Sequence, residues 1–168
     1  IHRVNFRAVG RSRKAFVGFS DFTLFSLAAL RKSGLVTYAG PMAAIDLGNQ
    51  SVSPFITDHF WPLIAAGRHR YPDVACEHAY KKQKIEGTLW GTNLALISRM
   101  VGTPYLPRVS GGILVIEDIG EQPYAVERML LQLWHAGILQ KQKALLFADF
   151  NDCTPANTNG EASGTACV

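Results

Sequence analysis

Lys14-Ala-Phe-Val-Gly-Phe-Ser-Asp-Phe-Thr-Leu-Phe-Ser-Leu-Ala-Ala-Leu-Arg-Lys-Ser-Gly34 changes character at one point. Its first six residues, Lys14 to Phe19, form a short apolar run, as expected of a buried strand. From Phe22 to Lys32, apolar residues at 22, 24, 25, 27, 28, 29 and 30 predict a helix, which Gly34 closes. Between them stands Ser20-Asp21. A serine at a sharp strand-to-helix turn has its hydroxyl lifted above the sheet edge. The helix start behind it offers free backbone N–H groups and a positive dipole end to a developing oxyanion. Gly18 relieves crowding there, but the full G-x-S-x-G form is not met because position 22 is Phe. Taken by itself, the tetrapeptide Gly18 to Asp21 favours the plainer reading, in which Ser20 is a helix N-cap and nothing more.

Working outward, Leu35 to Ala39 is expected as a second strand, broken by Gly40-Pro41. Pro54 to Ala66 reads as a helix in which Pro62 demands a kink or an early end. The composition turns charged and polar from Gly67 to Gln83, which places a linker at 71–84 between a first unit (1–70) and a second (85–153). The second unit opens at Ile85 to Trp90, with a helix expected from Asn93 to Val101. The clearest strand is Gly112 to Ile116. Tyr124 to His135 is an amphipathic helix with Pro123 in its first turn and Gly137 beyond its end. Ala144 to Ala148 is the last strand, and the Thr/Asn/Gly/Ser-rich residues 154–168 are expected to be disordered. The fold class expected is therefore α/β: the end of a parallel-sheet N-terminal domain with a nucleophile-elbow-like strand-turn-helix, and part of a mixed α/β C-terminal domain.

Bulk properties narrow the options. The 168 residues are 48% hydrophobic and 18% charged, with 17 Lys+Arg against 13 Asp+Glu, giving +4. Such a chain builds a core and is neither a disordered nor a collagen-like sequence. No apolar run approaches the ~18–20 residues of a membrane span. A chain opening Ile1-His2-Arg3 reads as the middle of something longer. The basic clusters (Arg3, Arg7, Arg11, Arg13, Lys14 and Lys81, Lys82, Lys84) lack interleaved aromatics and read as solvated faces, not as a nucleic-acid surface. Cys76, Cys153 and Cys167 have no C-x-x-C spacing, so neither a disulfide framework nor a zinc site is expected.

The second chemical candidate is Ile116-Glu-Asp-Ile-Gly-Glu121. Two carboxylates at the end of an apolar strand sit where a sheet delivers side chains to a ligand crevice. Glu117 there could orient a histidine, accept a proton or bind an amine. Ordinary strand-end and turn residues would look the same.

Five segments occur here in one order: Gly18 to Thr23, Val36-Thr-Tyr-Ala-Gly-Pro-Met42, Glu86-Gly-Thr-Leu-Trp-Gly-Thr-Asn-Leu94, Gly102-Thr-Pro-Tyr-Leu-Pro107, and Ile113 to Glu121 followed by Val126-Glu-Arg-Met-Leu130. Over about residues 1 to 155, this series closely resembles the L,D-carboxypeptidases of the muramoyltetrapeptide carboxypeptidase family, serine peptidases of family S66. The resemblance implies removal of the terminal D-alanine from murein tetrapeptides inside bacteria, by a Ser-Glu-His triad. Ser20 matches the family's nucleophile, Glu117 its glutamate, and the Asp21 N–H one oxyanion donor. Cytoplasmic cell-wall recycling and homodimer pairing are implied; a metal, an organic cofactor, a nucleic-acid partner and a membrane are not.

Two family features are not matched. The glycine-rich segment that supplies the second oxyanion donor belongs upstream of Ile1. The triad histidine lies in a Gly-His motif downstream of Phe150, and none of His2, His59, His69, His78 or His135 matches it. The expectation is a truncated central piece with little or no activity of its own. Two alternatives are carried alongside: a family hydrolase of aminoacyl-nucleotide antibiotics, and an inactive fragment with a binding role.

Overall fold

A computed structural model describes residues 1–48, 50–72 and 84–155. The chain starts with α1 (Phe6–Arg11), capped by Asn5, whose side chain accepts from the Ala8 N–H at 3.1 Å. β1 (Val17–Gly18) leads through the Ser20 turn into α2 (Phe22–Ser33), and the chain returns as β2 (Tyr38–Ala39). β1 and β2 pair in parallel, Val17 with Tyr38 and Gly18 with Ala39. Gly34 ends α2 in the left-handed conformation (φ 66°) with its N–H on the Leu30 carbonyl, as the sequence predicts. The strands are shorter than the apolar runs Lys14–Phe19 and Leu35–Ala39 suggest. Only two residues of each find a partner strand.

Pro62 is accommodated by a route the periodicity does not reveal. Residues Ile56–Phe60 form a wide π-type turn, and α3 (Trp61–Ala66) starts afresh with Pro62 in its first positions. A proline at a helix start lacks only an N–H that would have had no intrahelical acceptor there, so no bond is lost. A second π-type turn covers Ala43–Leu47.

The second half alternates strictly: β3 (Leu89–Asn93), α4 (Leu94–Met100), β4 (Ile113–Ile119), α5 (Pro123–His135), a 3₁₀ turn (Leu139–Lys141) and β5 (Ala144–Asn151). The three strands are parallel in the order β3-β4-β5. β4 and β5 each run three residues past their apolar cores Gly112–Ile116 and Ala144–Ala148. Glu117 and Asp118 therefore lie inside a strand and not in a turn beyond its end.

One core is built mainly by this half, from Trp90, Leu94, Ile97, Met100, Leu114, Ile116, Val126, Leu133 and Cys153, and it also takes in Leu27 of α2. A smaller cluster joins Phe6 to Ala28 and Ala29. α2 thus turns Leu27 toward the three-stranded sheet and its two alanines toward α1. Fully burying a side chain such as Leu94 or Ile97 contributes roughly 1.5–3 kcal/mol each, so the larger cluster dominates stability. Of the sequence's linker only residues 71, 72 and 84 are described, and residues 156–168 of the expected tail also lie outside the described residues.

Candidate active site

The β1–α2 turn is shaped by crowding. A Cβ on Gly18 would sit 2.6 Å from Cγ of the Phe22 ring, closer than any side-chain atom tolerates. The following serine bears the distortion: Ser20 has φ 57°, a left-handed conformation that favours glycine. Strain of this kind costs on the order of 1–3 kcal/mol and persists where the surroundings enforce it. The helix start enforces it here, with Phe22 N–H on Phe19 O (3.2 Å), Thr23 N–H on Ser20 O (2.9 Å) and Leu24 N–H on Asp21 O (3.2 Å).

The capping reading of Ser20 fails. Asp21 takes the cap position and makes no side-chain cap bond. Among the described residues neither Ser20 Oγ nor the Asp21 N–H has a hydrogen-bond partner. An exposed hydroxyl and a free amide therefore stand together at the start of a twelve-residue helix.

Glu117 lies on β4 directly opposite Asn93, the last residue of β3. On its other side the β4–β5 register slips between Ile116 and Asp118, so that two residues of β5 oppose Glu117. Such bulges re-aim side chains next to sites. Glu117 is half-buried, and its carboxyl is pushed above the usual 4.5, first by burial and then by the Asp118 charge, with the Asn93 amide offsetting part of the rise.

The neighbouring carboxylate has a different task, one the sequence did not disclose. Asp118 is 4% exposed. It accepts from Asn93 Nδ2 (3.0 Å), from the Ala95 N–H (2.8 Å) and from the Ile119 N–H (3.0 Å). Asn93 in turn caps α4 through Leu96 N–H at 3.0 Å. The signal was the alternation of β4: Leu114, Ile116 and Asp118 share its buried face, and a buried carboxylate requires donors.

The two candidate segments meet through hydroxyls. Thr23 Oγ1 and Thr92 Oγ1 are 2.7 Å apart. Thr92 (φ 136°) is strained itself, and Gly91 (φ 114°) before it must be glycine, since a Cβ there would lie 2.1 Å from the Val115 carbonyl oxygen. Ser20 is three residues before Thr23, and Glu117 is paired with the residue after Thr92. Among the described residues Ser20 and Glu117 share no direct hydrogen bond. Beside this junction a cavity of about 310 Å³ opens, lined by Gly18, Thr23, Leu27, Trp90 and Thr92 among others.

The described histidines lie elsewhere. His2 bonds the Tyr105 hydroxyl (3.0 Å), His59 pairs with His69, and His135 ends α5; His78 lies outside the described residues. Cys153 is buried and free. Among the described residues no group of three or more His, Cys, Asp or Glu could hold a metal ion, and no helix is long and apolar enough to cross a membrane. A serine hydroxyl with an adjacent amide, and separately a carboxylate of raised pKa, are groups that acyl transfer can use; among the described residues no histidine contacts Ser20 or Glu117.

Residues 86–167 match the LD-carboxypeptidase C-terminal domain, a match that runs on beyond residue 155, where the motif resemblance stops. The chain is 35% identical over 153 residues to a probable murein peptide carboxypeptidase of Bacillus subtilis (strain 168), covering 90% of this chain and 48% of that protein. The crystal structure of muramoyltetrapeptide carboxypeptidase from Oxalobacter formigenes superposes with a TM-score of 0.76 at 45% identity, over 90% of this chain and 51% of that one. A structure of MccF in complex with glutamyl sulfamoyl guanosine, at 20% identity and a TM-score of 0.70 over 90% of this chain and 54% of its own, shares the fold alone. The chain spans about half the length of the relatives it matches.

Proposed function

Because the chain belongs to the S66 family of LD-carboxypeptidases, we propose that it carries the nucleophile and the orienting carboxylate of a serine carboxypeptidase acting on murein tetrapeptides. Residues 1–70 are the end of the nucleophile-bearing domain, residues 85–153 part of the Glu-bearing domain, and 71–84 the link between them. The setting is cytoplasmic cell-wall recycling, and the enzyme works as a homodimer. One observation carries the reading most directly: Ser20 stands exposed in a left-handed turn with φ 57° and its hydroxyl unpaired, between a parallel strand and a helix start.

Ser20 Oγ attacks the carbonyl before the terminal D-alanine while an imidazole takes its proton. The Asp21 N–H receives the developing oxyanion, and Glu117 holds the imidazole through a hydrogen bond. The proton then passes to the leaving amine of D-alanine, and water hydrolyses the Ser20 ester. Among the described residues no histidine contacts Ser20 or Glu117, and the 168-residue chain is expected to hydrolyse tetrapeptide slowly or not at all.

Free imidazole in solution tests both parts. D-alanine release from murein tetrapeptide is expected near background with the chain alone, to rise when imidazole is added, and to stay at background in Ser20→Ala. Glu117→Gln is expected to blunt the rescue. Release that survives Ser20→Ala would overturn the nucleophile assignment. Release at full rate without imidazole, yet dependent on Ser20, would overturn only the missing-base clause. Faster turnover of an acyl-adenylate analogue than of the tetrapeptide would favour the antibiotic-hydrolysing alternative, which rests so far on a shared fold.

A further inference from the structure

We propose that His59 and His69 form a two-imidazole site for one divalent transition-metal ion of the zinc class, apart from the Ser20 centre and independent of the function proposed above.

His59 lies in the π-type turn Ile56–Phe60, and His69 follows the end of α3. Gly67, at φ 67° with its N–H on the Leu63 carbonyl (2.8 Å), reverses the chain so that residue 69 returns beside residue 59. The result is convergence of two ring nitrogens: His59 Nδ1 and His69 Nε2 are 2.8 Å apart. Both rings are half-buried, and an aromatic wall fixes them. Tyr71 stands edge-on to His69 at 5.0 Å and 5.6 Å from His59, while Phe55 lies 4.4 Å from His59.

Two facing imidazole nitrogens hold one proton between them. An ion that takes the proton's place meets two lone pairs. Zinc–nitrogen bonds of about 2.0–2.1 Å at a tetrahedral angle need the nitrogens about 3.3 Å apart. The rings would therefore separate by about half an ångström, a small movement for side chains at a chain reversal. Proton balance is simple. When both rings are neutral, the ring that donates moves its proton to its other nitrogen, and no proton is released. Each ring that starts protonated releases one proton on binding.

The charges nearby set the affinity. Asp58 precedes His59 and favours a cation, while Arg68 and Arg70 flank His69 and oppose it. All three are exposed and, among the described residues, form no ion pair. With two protein ligands, and water completing the shell, binding in the micromolar range is expected and a closed structural site is not. The ion would clamp residues 67–72 onto the helical stretch whose Phe60 ring lies against Gly40, the residue just after β2.

The test is calorimetric titration of the metal-free 168-residue chain with Zn²⁺ and, separately, electron paramagnetic resonance with one equivalent of Cu²⁺. The expected result is one Zn²⁺ per chain at roughly micromolar concentrations, weakened at least about tenfold by His59→Ala and by His69→Ala and unchanged in His2→Ala and His135→Ala. The Cu²⁺ spectrum of the unaltered chain is expected to show two coupled nitrogens, a readout that needs no variant to fold. Absence of saturable binding, binding that survives both substitutions, or a spectrum with fewer than two nitrogens would each overturn the proposal.

Discussion

Ser20 can hold its left-handed turn because of what its neighbours give up. Gly18 has no side chain to collide with the Phe22 ring, and Phe22 occupies the position where a nucleophile elbow ordinarily has a second glycine. The two positions are therefore coupled. Gly18→Ala is expected to destabilise the chain by about 1–3 kcal/mol through overpacking against Phe22. Adding Phe22→Gly should return part of that loss, measured as the non-additivity of the double mutant in chemical denaturation. Equal, additive losses would mean that the contact does not matter. The turn itself was readable in the sequence, since an apolar run, a glycine, a serine and a helical pattern leave few other arrangements. What the residues around Ser20 could not reveal was that its side chain caps nothing. Capping and nucleophile readings share the same residue types and differ only in where the hydroxyl points.

At the scale of elements, β4 is where composition misled. Its apolar core stops at Ile116, and two consecutive acids look like the exit from a strand. The strand continues because each acid has a local solution. Asp118 is satisfied by Asn93, by the Ala95 amide in the first turn of α4 and by the Ile119 amide, while Glu117 on the opposite face keeps partial access to water. Two of these donors come from β3 and α4, more than twenty residues upstream, so no pattern within β4 could show them. Asp118→Ala is expected to cost roughly 3 kcal/mol by orphaning those donors, with Asp118→Asn milder, both read from denaturation midpoints. Glu117 makes the opposite prediction about acidity. Its carboxyl is raised in the folded chain, so the fold binds its proton more tightly than the unfolded chain does. Any stability gained this way is present below pH 4.5 and is lost as pH rises through the higher folded value. Glu117→Gln should flatten that decline, and stability profiles from pH 4 to 8 that run parallel in both proteins would contradict it.

For the molecule as a whole, the linker composition suggested two units divided in the region of residues 71–84, and the packing adds a tie across that divide. Leu27 of α2 is 3% exposed inside the core built by the second half. Leu27→Ala is expected to cost about 2–5 kcal/mol. Because the residue belongs to one half and its surroundings to the other, the loss should appear in probes of both. Trp90 fluorescence, in a variant whose other tryptophans are replaced, should report it from the second half. Protease cleavage within α2 should report it from the first. A transition that shifts in one half alone would show that the halves unfold independently. Sequence periodicity could not anticipate this contact. It indicates which face of α2 is apolar, but not that this face is divided between two clusters.

The hydroxyl bridge between Thr23 and Thr92 gives that tie a direction. One end belongs to the first turn of the helix that begins just after Ser20. The other is the strained last step of β3 before the asparagine opposite Glu117. A displacement of β3 would be felt, through this bridge, at the turn that holds Ser20. Alongside the Leu27 contact, this pair of oxygen atoms thus joins the helix behind residue 20 to the strand that faces Glu117.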